Sequence, residues 1–239
     1  MKVRLDQLLL SRGLVASRSQ AESYIRLGKV QVAGKIITKP GYFVDSEASL
    51  KLLQDEQYVS RAGLKLASVA KLLNLDFRAK TVLDVGSSTG GFTDYALRRG
   101  AVKVIAVDVG TDQLHPSLRN DPRIELHEKT DIRDFLLDKK PDIIVTDVSF
   151  ISLREILPHI AAQLAGPETQ IVAMVKPQFE TGSRLKNAGV VKNDTERRQI
   201  LHDFELWSRE LFVIQNKADS EVAGTRGNRE RFYALKALR

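Results

Sequence analysis

The chain has 239 residues, of which 43% are hydrophobic and 28% charged, a composition that excludes a disordered or fibrous protein. It has no cysteine and four histidines without metal-ligand spacing, so disulfides, thiolate chemistry and a metal site are not expected. No run approaches the roughly 18–20 apolar residues of a membrane span, and no export signal is present, which predicts a cytoplasmic protein without membrane contact.

Residues 1–57 are predicted to form a small, basic α+β domain. Apolar residues recur at helical spacing over 5–9 and 21–25, and short strands joined by tight turns follow within 30–44. Residues 1–44 carry eight lysines and arginines against two acidic residues, a net charge of +6. A polyanion suits such a segment, although a basic face is often plain solvated surface. The candidate phosphate contacts are Arg4, Arg12, Arg18, Arg26, Lys29 and Lys35.

After a predicted linker at 58–64, residues 65–239 are predicted to form an α/β domain. Predicted strands lie at 81–85, 102–107, 124–127, 142–146, 171–175, 213–216 and 231–238, and predicted helices at 92–99, 153–164 and 196–211. Strands that alternate with helices in this way predict a Rossmann-like, doubly wound parallel sheet with helices on both faces.

A glycine-rich turn follows the first strand of this sheet. The strand ends in Asp84-Val85, the turn runs from Gly86 to Phe92, and the next strand ends in Val107-Asp108. In a doubly wound sheet such a turn lies under a nucleoside, and the second acid reaches the ribose hydroxyls. The spacing lacks the G-x-G turn that binds a pyrophosphate, which disfavours a nicotinamide-dependent oxidoreductase. An acid before the first glycine suits the cationic amino-acid part of S-adenosylmethionine.

The cofactor-binding residues follow from this turn and the strand ends beside it. Asp131, after the third strand, is included, with a role as a helix cap equally open. Simple turn formation is the alternative for the glycines. The candidates are Asp84, Gly86, Ser87, Ser88, Thr89, Gly90, Gly91, Phe92, Asp108 and Asp131.

Motifs along nearly the whole chain resemble those of TlyA-type proteins, historically labelled hemolysin A. The basic N-terminal unit, with Ser17-Arg18-Ser19-Gln20-Ala21 and Gly28-Lys29-Val30-Gln31-Val32-Ala33-Gly34, looks like an alpha-L (S4-like) RNA-binding module. Five further motifs occur in the family's order: 58–66, 84–93, 147–152, 176–180 and 227–230. The resemblance implies an FtsJ-like ribose 2′-O-methyltransferase that uses S-adenosylmethionine, with cytidine in ribosomal RNA or ribosomal subunits as the substrate.

FtsJ-like enzymes carry a Lys-Asp-Lys-Glu tetrad, which the motifs match at Lys65, Asp147, Lys176 and Glu230. The residues themselves support part of this assignment. Asp147 and Lys176 follow predicted strands, and in an open α/β sheet the ligand crevice lies outside the carboxyl ends of the strands. Either residue alone is more often solvated or ion-paired, but two at adjacent crevice positions favour catalysis.

The sequence departs from the family pattern at two places. Thr111-Asp112-Gln113 stands where an aromatic residue and a glycine are expected, which affects the predicted adenine contacts. Residues 183–187 are less glycine-rich than the basic loop that the family often has there.

Two other classes of protein stay open at this point. A non-catalytic RNA-binding assembly factor could retain the same fold, although an intact tetrad argues against it. A membrane-lytic protein, as the hemolysin label suggests, would need an amphipathic or spanning segment. The oligomeric state is left open.

Overall fold

The computed structural model describes residues 1–15, 17–53, 58–181, 190–191, 193–224 and 227–238. The N-terminal domain contains two helices and five short strands. They are β1 (Lys2–Arg4), α1 (Leu5–Ser11), α2 (Arg18–Arg26), β2 (Val30–Val32), β3 (Lys35–Ile36), β4 (Phe43–Asp45) and β5 (Leu50–Leu52).

The two N-terminal helices pack against each other through buried apolar side chains, including those of Leu9 and Tyr24. The Ser17 side chain accepts a hydrogen bond from the backbone N–H of Gln20 at 3.1 Å and caps α2. β2 lies between β3 and β5, and β1 pairs with β4. The two predicted helices are confirmed, and β2, β3 and β4 confirm the short strands predicted within 30–44. β1 and β5 were not predicted.

The described residues of the second part of the chain form a seven-stranded sheet and four helices. The elements are α3 (Arg61–Ala70), β6 (Thr81–Val85), α4 (Gly91–Arg98), β7 (Lys103–Val107), β8 (Ile124–His127), β9 (Ile143–Thr146), α5 (Leu153–His159), β10 (Gln170–Val175), α6 (Asp194–Ser208), β11 (Phe212–Asp219) and β12 (Arg231–Ala237). A π-helical turn (Ile160–Leu164) continues α5, and a 3-10 turn (Pro177–Phe179) follows β10.

Alternate residues of each central strand enter two separate cores, one on each face of the sheet. Val82 of β6 packs in the core that α3 and α4 cover, whereas Leu83 packs in the core under α5 and α6. Successive side chains of a strand point to opposite faces, so a strand covered on both sides is apolar throughout. The prediction of helices on both faces is confirmed.

The sheet is mixed, with the strand order β11-β12-β10-β9-β6-β7-β8. β6 to β10 are parallel, as predicted, but β12 runs antiparallel to both β10 and β11. The expectation of an all-parallel sheet is therefore wrong at β12. The described residues between β11 and β12, 220–224 and 227–230, form no helix that could return the chain to the other end of the sheet.

The predicted linker, residues 58–64, includes the first turn of a helix that the sequence analysis missed. α3 begins at Arg61, and its side chains Leu64, Leu66 and Val69 are buried against the sheet. The predicted domain boundary near residue 57 lies at residues 54–57, which are outside the described residues. The division into two domains at this point therefore stays a prediction.

Candidate active site

Two adjoining clefts, of about 340 and 480 Å³, open at the carboxyl ends of the parallel strands. They share Gly86, Ser88 and Asp147 in their walls. The smaller cleft reaches Lys65 and Asp84, and the larger one reaches Asp108 and Asp131. The predicted cofactor turn and two of the four predicted tetrad residues, Lys65 and Asp147, thus line two adjoining clefts.

The glycines of the turn allow two helices to meet beside the cleft. Gly90 has φ +89°, a left-handed conformation that favours glycine, and it precedes α4. A Cβ on Gly91 would lie 2.7 Å from the Cβ of Ala62, at the start of α3. Only a residue without a side chain permits this approach, which brings the helix that carries Lys65 against the turn.

Asp84 presents an unpartnered carboxylate oxygen to the smaller cleft. Its side chain is buried, and the Thr93 hydroxyl donates to Oδ2 at 2.6 Å. Oδ1 is buried with no hydrogen-bond partner among the described residues. Burial, reinforced by the charges of Asp147 and Asp108, raises the pKa of Asp84 to about 7. A buried acceptor of this kind fits a cationic ligand group.

Asp108 and Asp131 line the larger cleft, and their carboxylates have different hydrogen-bond partners. The carboxylate of Asp108 accepts hydrogen bonds from the backbone N–H groups of Ser88, at 2.8 Å, and Gly110, at 2.7 Å. Asp131 forms an ion pair with Arg133 at 2.6 Å and also accepts its backbone N–H, and these hydrogen bonds lower the pKa of Asp131. Asp131 lies before a turn rather than at a helix N-terminus.

The four tetrad residues form two short ion pairs. Lys176 Nζ lies 2.6 Å from Asp147 Oδ1, and Lys65 Nζ lies 2.6 Å from Glu230 Oε2. Burial raises the pKa of Glu230, and the Lys65 ammonium opposes this rise. The charges of Asp147 and Lys176 also act on Glu230, so the two pairs are neighbours. The predicted residues therefore converge.

The antiparallel course of β12 explains how Glu230 reaches this place. Asp147 and Lys176 follow the carboxyl ends of β9 and β10, whereas Glu230 precedes the first residue of β12. Because β12 runs in the opposite direction, its amino end lies at the same edge of the sheet.

Two further residues, Ser149 and Thr93, hold the site together; both lie within the sequence motifs but were not among the predicted site residues. Ser149 Oγ accepts a hydrogen bond from Lys176 Nζ at 2.8 Å, and Thr93 binds the carboxylate of Asp84. Ser149 follows Asp147 by two residues, and Thr93 follows Asp84 by nine. A hydroxyl residue in the same motif as a predicted charged residue is a candidate to bind that charge, and this pattern could have identified both.

Of the two departures from the family pattern, one can be located. The Ser88 hydroxyl donates to Gln113 Oε1 at 2.9 Å, and Gln113 lines the larger cleft together with Val109. The loop at 183–187 lies outside the described residues.

Comparisons with known proteins identify the family. The FtsJ-like methyltransferase family profile matches residues 58–237, and the S4 domain profile matches residues 3–50. The chain belongs to the FtsJ-like methyltransferase family. S-adenosylmethionine is the cofactor of this enzyme, and the S4 domain adds an RNA-binding module to the methyltransferase fold.

Named relatives cover most of this methyltransferase. A 16S/23S rRNA (cytidine-2′-O)-methyltransferase TlyA from Mycobacterium tuberculosis is 36% identical, covering 98% of this chain and 90% of its own. A 23S rRNA (cytidine-2′-O)-methyltransferase TlyA from Campylobacter jejuni is 44% identical over 77% of this chain and 73% of its own. A solved structure of a candidate hemolysin from Streptococcus thermophilus has a TM-score of 0.73 and 36% identity, and covers 99% of this chain and 89% of its own.

The six basic residues of the S4 domain that were predicted to contact phosphates fall into two groups. Arg4 and Arg18 both bind the buried carboxylate of Asp6, at 2.8 and 2.9 Å, and Arg12 donates to the backbone carbonyl of Ala48 at 2.7 Å. The others are exposed and have no ion-pair partner within the part of the chain that the structure describes. This second group is Arg26, Lys29 and Lys35.

Neither a metal cluster nor a membrane helix is found in the described part of this methyltransferase. No group of three or more histidine or acidic side chains there could hold a metal ion. None of the helices described has the length and apolar character that a bilayer crossing needs.

Proposed function

We propose that this methyltransferase transfers a methyl group from S-adenosylmethionine to the ribose 2′-hydroxyl of a cytidine in ribosomal RNA. The observation that carries the proposal is the convergence of Lys65, Asp147, Lys176 and Glu230 beside the cofactor cleft. The named rRNA methyltransferase relatives support cytidine as the target. The substrate is ribosomal RNA, either free or within a ribosomal subunit.

The residues of the two clefts fit S-adenosylmethionine. The unpartnered Oδ1 of Asp84 suits the ammonium group of the methionine part, and the buried Ser87 hydroxyl, which also has no described partner, offers a further polar contact. Asp108 lies where a ribose hydroxyl can reach its carboxylate. Asp131 lines the same cleft, although its carboxylate is already engaged by Arg133.

The bound cofactor supplies an electrophilic methyl group on a sulfonium centre. The protein must align the 2′-oxygen with that methyl group and remove the hydroxyl proton, and alignment alone can supply much of the rate. Lys176 is the group that contacts this oxygen. Asp147 and Ser149 fix its Nζ from two sides, at 2.6 and 2.8 Å.

Lys176 acts either as the proton acceptor or as a hydrogen-bond donor that steers the oxygen while solvent takes up the hydroxyl proton. Arginine separates these roles, since its guanidinium stays charged and cannot accept a proton at ordinary pH. Lys176→Arg should retain measurable turnover if the residue steers and lose it if the residue accepts the proton.

Lys65 and Glu230 form the second wall of the reaction site. The helix position of Lys65 places its ammonium beside the cofactor turn, where it can orient the ribose. Glu230, buried and paired with it, keeps that ammonium from reaching solvent. A 2′-hydroxyl distinguishes RNA from DNA, so the chemistry and the RNA-binding module agree.

The test is the transfer of labelled methyl from S-adenosylmethionine to purified ribosomal subunits that lack the modification. Lys176→Ala is measured in parallel, with Lys103→Ala as the matched control. Lys103 begins β7 at the opposite edge of the sheet and pairs with Glu125. We expect label on rRNA ribose with the wild type and the control, and none with Lys176→Ala.

Cofactor titration of the same proteins completes this experiment. Lys176→Ala should bind S-adenosylmethionine as the wild type does, because Lys176 contacts the acceptor oxygen and not the cofactor. Label retained by Lys176→Ala would remove this residue from the mechanism. A folded wild type that binds RNA tightly but transfers no label would favour the non-catalytic assembly factor.

A further inference from the structure

Two loop segments meet beside the tetrad and contact each other at both of their ends. One runs from Asp147 to Leu153, between β9 and α5, and the other from Lys176 to Glu180, after β10. At one end, Lys176 binds Asp147 and Ser149. At the other end, the carboxylate of Glu180 binds the segment that precedes α5.

The contacts of Glu180 use both of its oxygens. Oε2 accepts a hydrogen bond from the Ser152 hydroxyl at 2.6 Å, and Oε1 accepts one from the backbone N–H of Leu153 at 2.8 Å. The side chain is only 1% exposed, and Arg154 lies 3.8 Å away. Burial raises the pKa of Glu180, and the two hydrogen bonds oppose this rise. A carboxylate in this position is a firm link between the segments.

Phe150 lies between these two points of attachment in a conformation that needs support. Its φ is +66°, in the left-handed region that side chains other than glycine rarely adopt. The ring is 93% exposed and lies 5.4 Å, centroid to centroid, from that of Phe179. Little packing holds Phe150 in place, so the contacts on either side of it must maintain this backbone.

Helix capping does not by itself explain Glu180. The N-terminus of α5 already has a cap, because the Ser152 hydroxyl accepts from the backbone N–H of Arg154 at 3.1 Å. Glu180 adds a link from a different part of the chain to the segment that carries Asp147 and Ser149.

We propose that Glu180 is a positioning residue for methyl transfer, which holds segment 147–153 against segment 176–180 and thereby sets Asp147 and Ser149 around Lys176. This inference rests on the proposed function, since Lys176 contacts the reacting oxygen there. Glu180 lines neither of the two clefts of the cofactor site. Its effect reaches the reaction through the orientation of the Lys176 ammonium.

Steady-state kinetics on rRNA test this role with Glu180→Ala, Glu180→Gln and the control Glu155→Ala. Glu155 lies on the same helix, and its carboxylate pairs with Arg133 instead. Misplacement of catalytic groups by about 1 Å costs on the order of 100-fold, so we expect Glu180→Ala to lower kcat by about 10- to 100-fold with KM unchanged. Glu180→Gln keeps an acceptor for Leu153 and should restore most of kcat. Glu155→Ala should match the wild type.

Amide hydrogen exchange measures the link without any activity. Exchange over residues 148–153 should accelerate in Glu180→Ala and stay unchanged in Glu155→Ala. An unchanged kcat in Glu180→Ala, or a loss that Glu180→Gln does not rescue, would overturn the positioning role. If the wild type itself transfers no methyl group, the proposed function fails. In that case the exchange experiment still tests the link between the two segments, and unaccelerated exchange in Glu180→Ala would reject it.

Discussion

The S4 domain and the methyltransferase cleft use the same cationic side chains in opposite surroundings. Arg26, Lys29 and Lys35 are exposed and free of ion pairs within the described residues, whereas Lys65 and Lys176 are buried, each 2.6 Å from a carboxylate. An exposed charge contributes through a long-range field that salt screens. A buried charge contributes through its position, and its partner becomes indispensable. Loss of a single residue should therefore be tolerated in the first region and not in the second.

The largest effect is expected for the Lys65–Glu230 pair. Glu230→Ala leaves the buried ammonium of Lys65 unpaired, which should cost about 3–5 kcal/mol of unfolding free energy in addition to activity. The double variant Lys65→Met/Glu230→Leu should recover most of that stability while staying inactive. Urea denaturation and methyl transfer measure the two quantities. If the double variant is as unstable as Glu230→Ala, the unpaired ammonium of Lys65 does not cause the loss of stability.

Asp84 should give cofactor binding a pH dependence. Burial first, then Asp147 and Asp108, raise its pKa to about 7, so the free carboxyl is protonated in acid. The cofactor ammonium favours the ionised form, and affinity for S-adenosylmethionine should weaken by about tenfold per pH unit below 7. Calorimetric titration at pH 5.5 to 8.5 measures this. Asp84→Asn should bind weakly, with little change across that range, and an unchanged wild-type slope in that variant would contradict the assignment.

The same group should affect the stability of the cofactor-free protein. The pKa of Asp84 is higher in the folded state than the ordinary value of 3.8, so the folded state binds the proton more tightly. Stability is then lost as the pH rises from 3.8 to about 7. Asp84→Asn should raise Tm at pH 8 relative to the wild type, and less so at pH 5.

The exposed residues Arg26, Lys29 and Lys35 of the S4 domain should contribute to the affinity for rRNA and to its salt dependence. Arg26→Ala, Lys29→Ala and Lys35→Ala should each weaken rRNA binding several-fold. Each should also reduce the slope of log K against log salt by up to about 1, as expected for a lost phosphate contact. Filter binding at several salt concentrations measures both effects. Lys236→Ala, on β12, is the control, and equal slopes in all proteins would rule out phosphate contacts at these residues.

Substitution of Arg18 should give the smallest effect. It tests whether Arg18 serves only the structure of the S4 domain or also contacts RNA. Although burial alone would raise the pKa of Asp6, hydrogen bonds from Arg4 and Arg18 lower it, so this network contributes stability above pH 3.8 that is lost as the pH falls through the folded value. Since Arg18 is half exposed, Arg18→Ala should cost only about 1 kcal/mol at pH 7. A reduced salt slope of RNA binding would add a phosphate contact to this structural role.

Much of the site could be predicted because its parts lie within short motifs. Asp84 and the glycines after it occupy one strand-to-helix turn, and Asp147 and Lys176 directly follow apolar strands. Strand ends and glycine turns are local properties of a sequence. The helix α3 was missed because its first turn falls in a motif that was interpreted as a linker, although its apolar side chains recur at helical spacing.

The sequence by itself determined most of the elements and their order, the cofactor turn, and the places of Asp147 and Lys176 after apolar strands, whereas Lys65 and Glu230 were assigned through the family resemblance. Only the tertiary structure decided which lysine pairs with which acid, that β12 is antiparallel and so presents Glu230 at the crevice, and that Glu180 links two loops. The physical reason is that these contacts join residues far apart in the chain. Such contacts depend on how whole strands and helices pack, whereas a turn or a strand end depends on neighbouring residues alone.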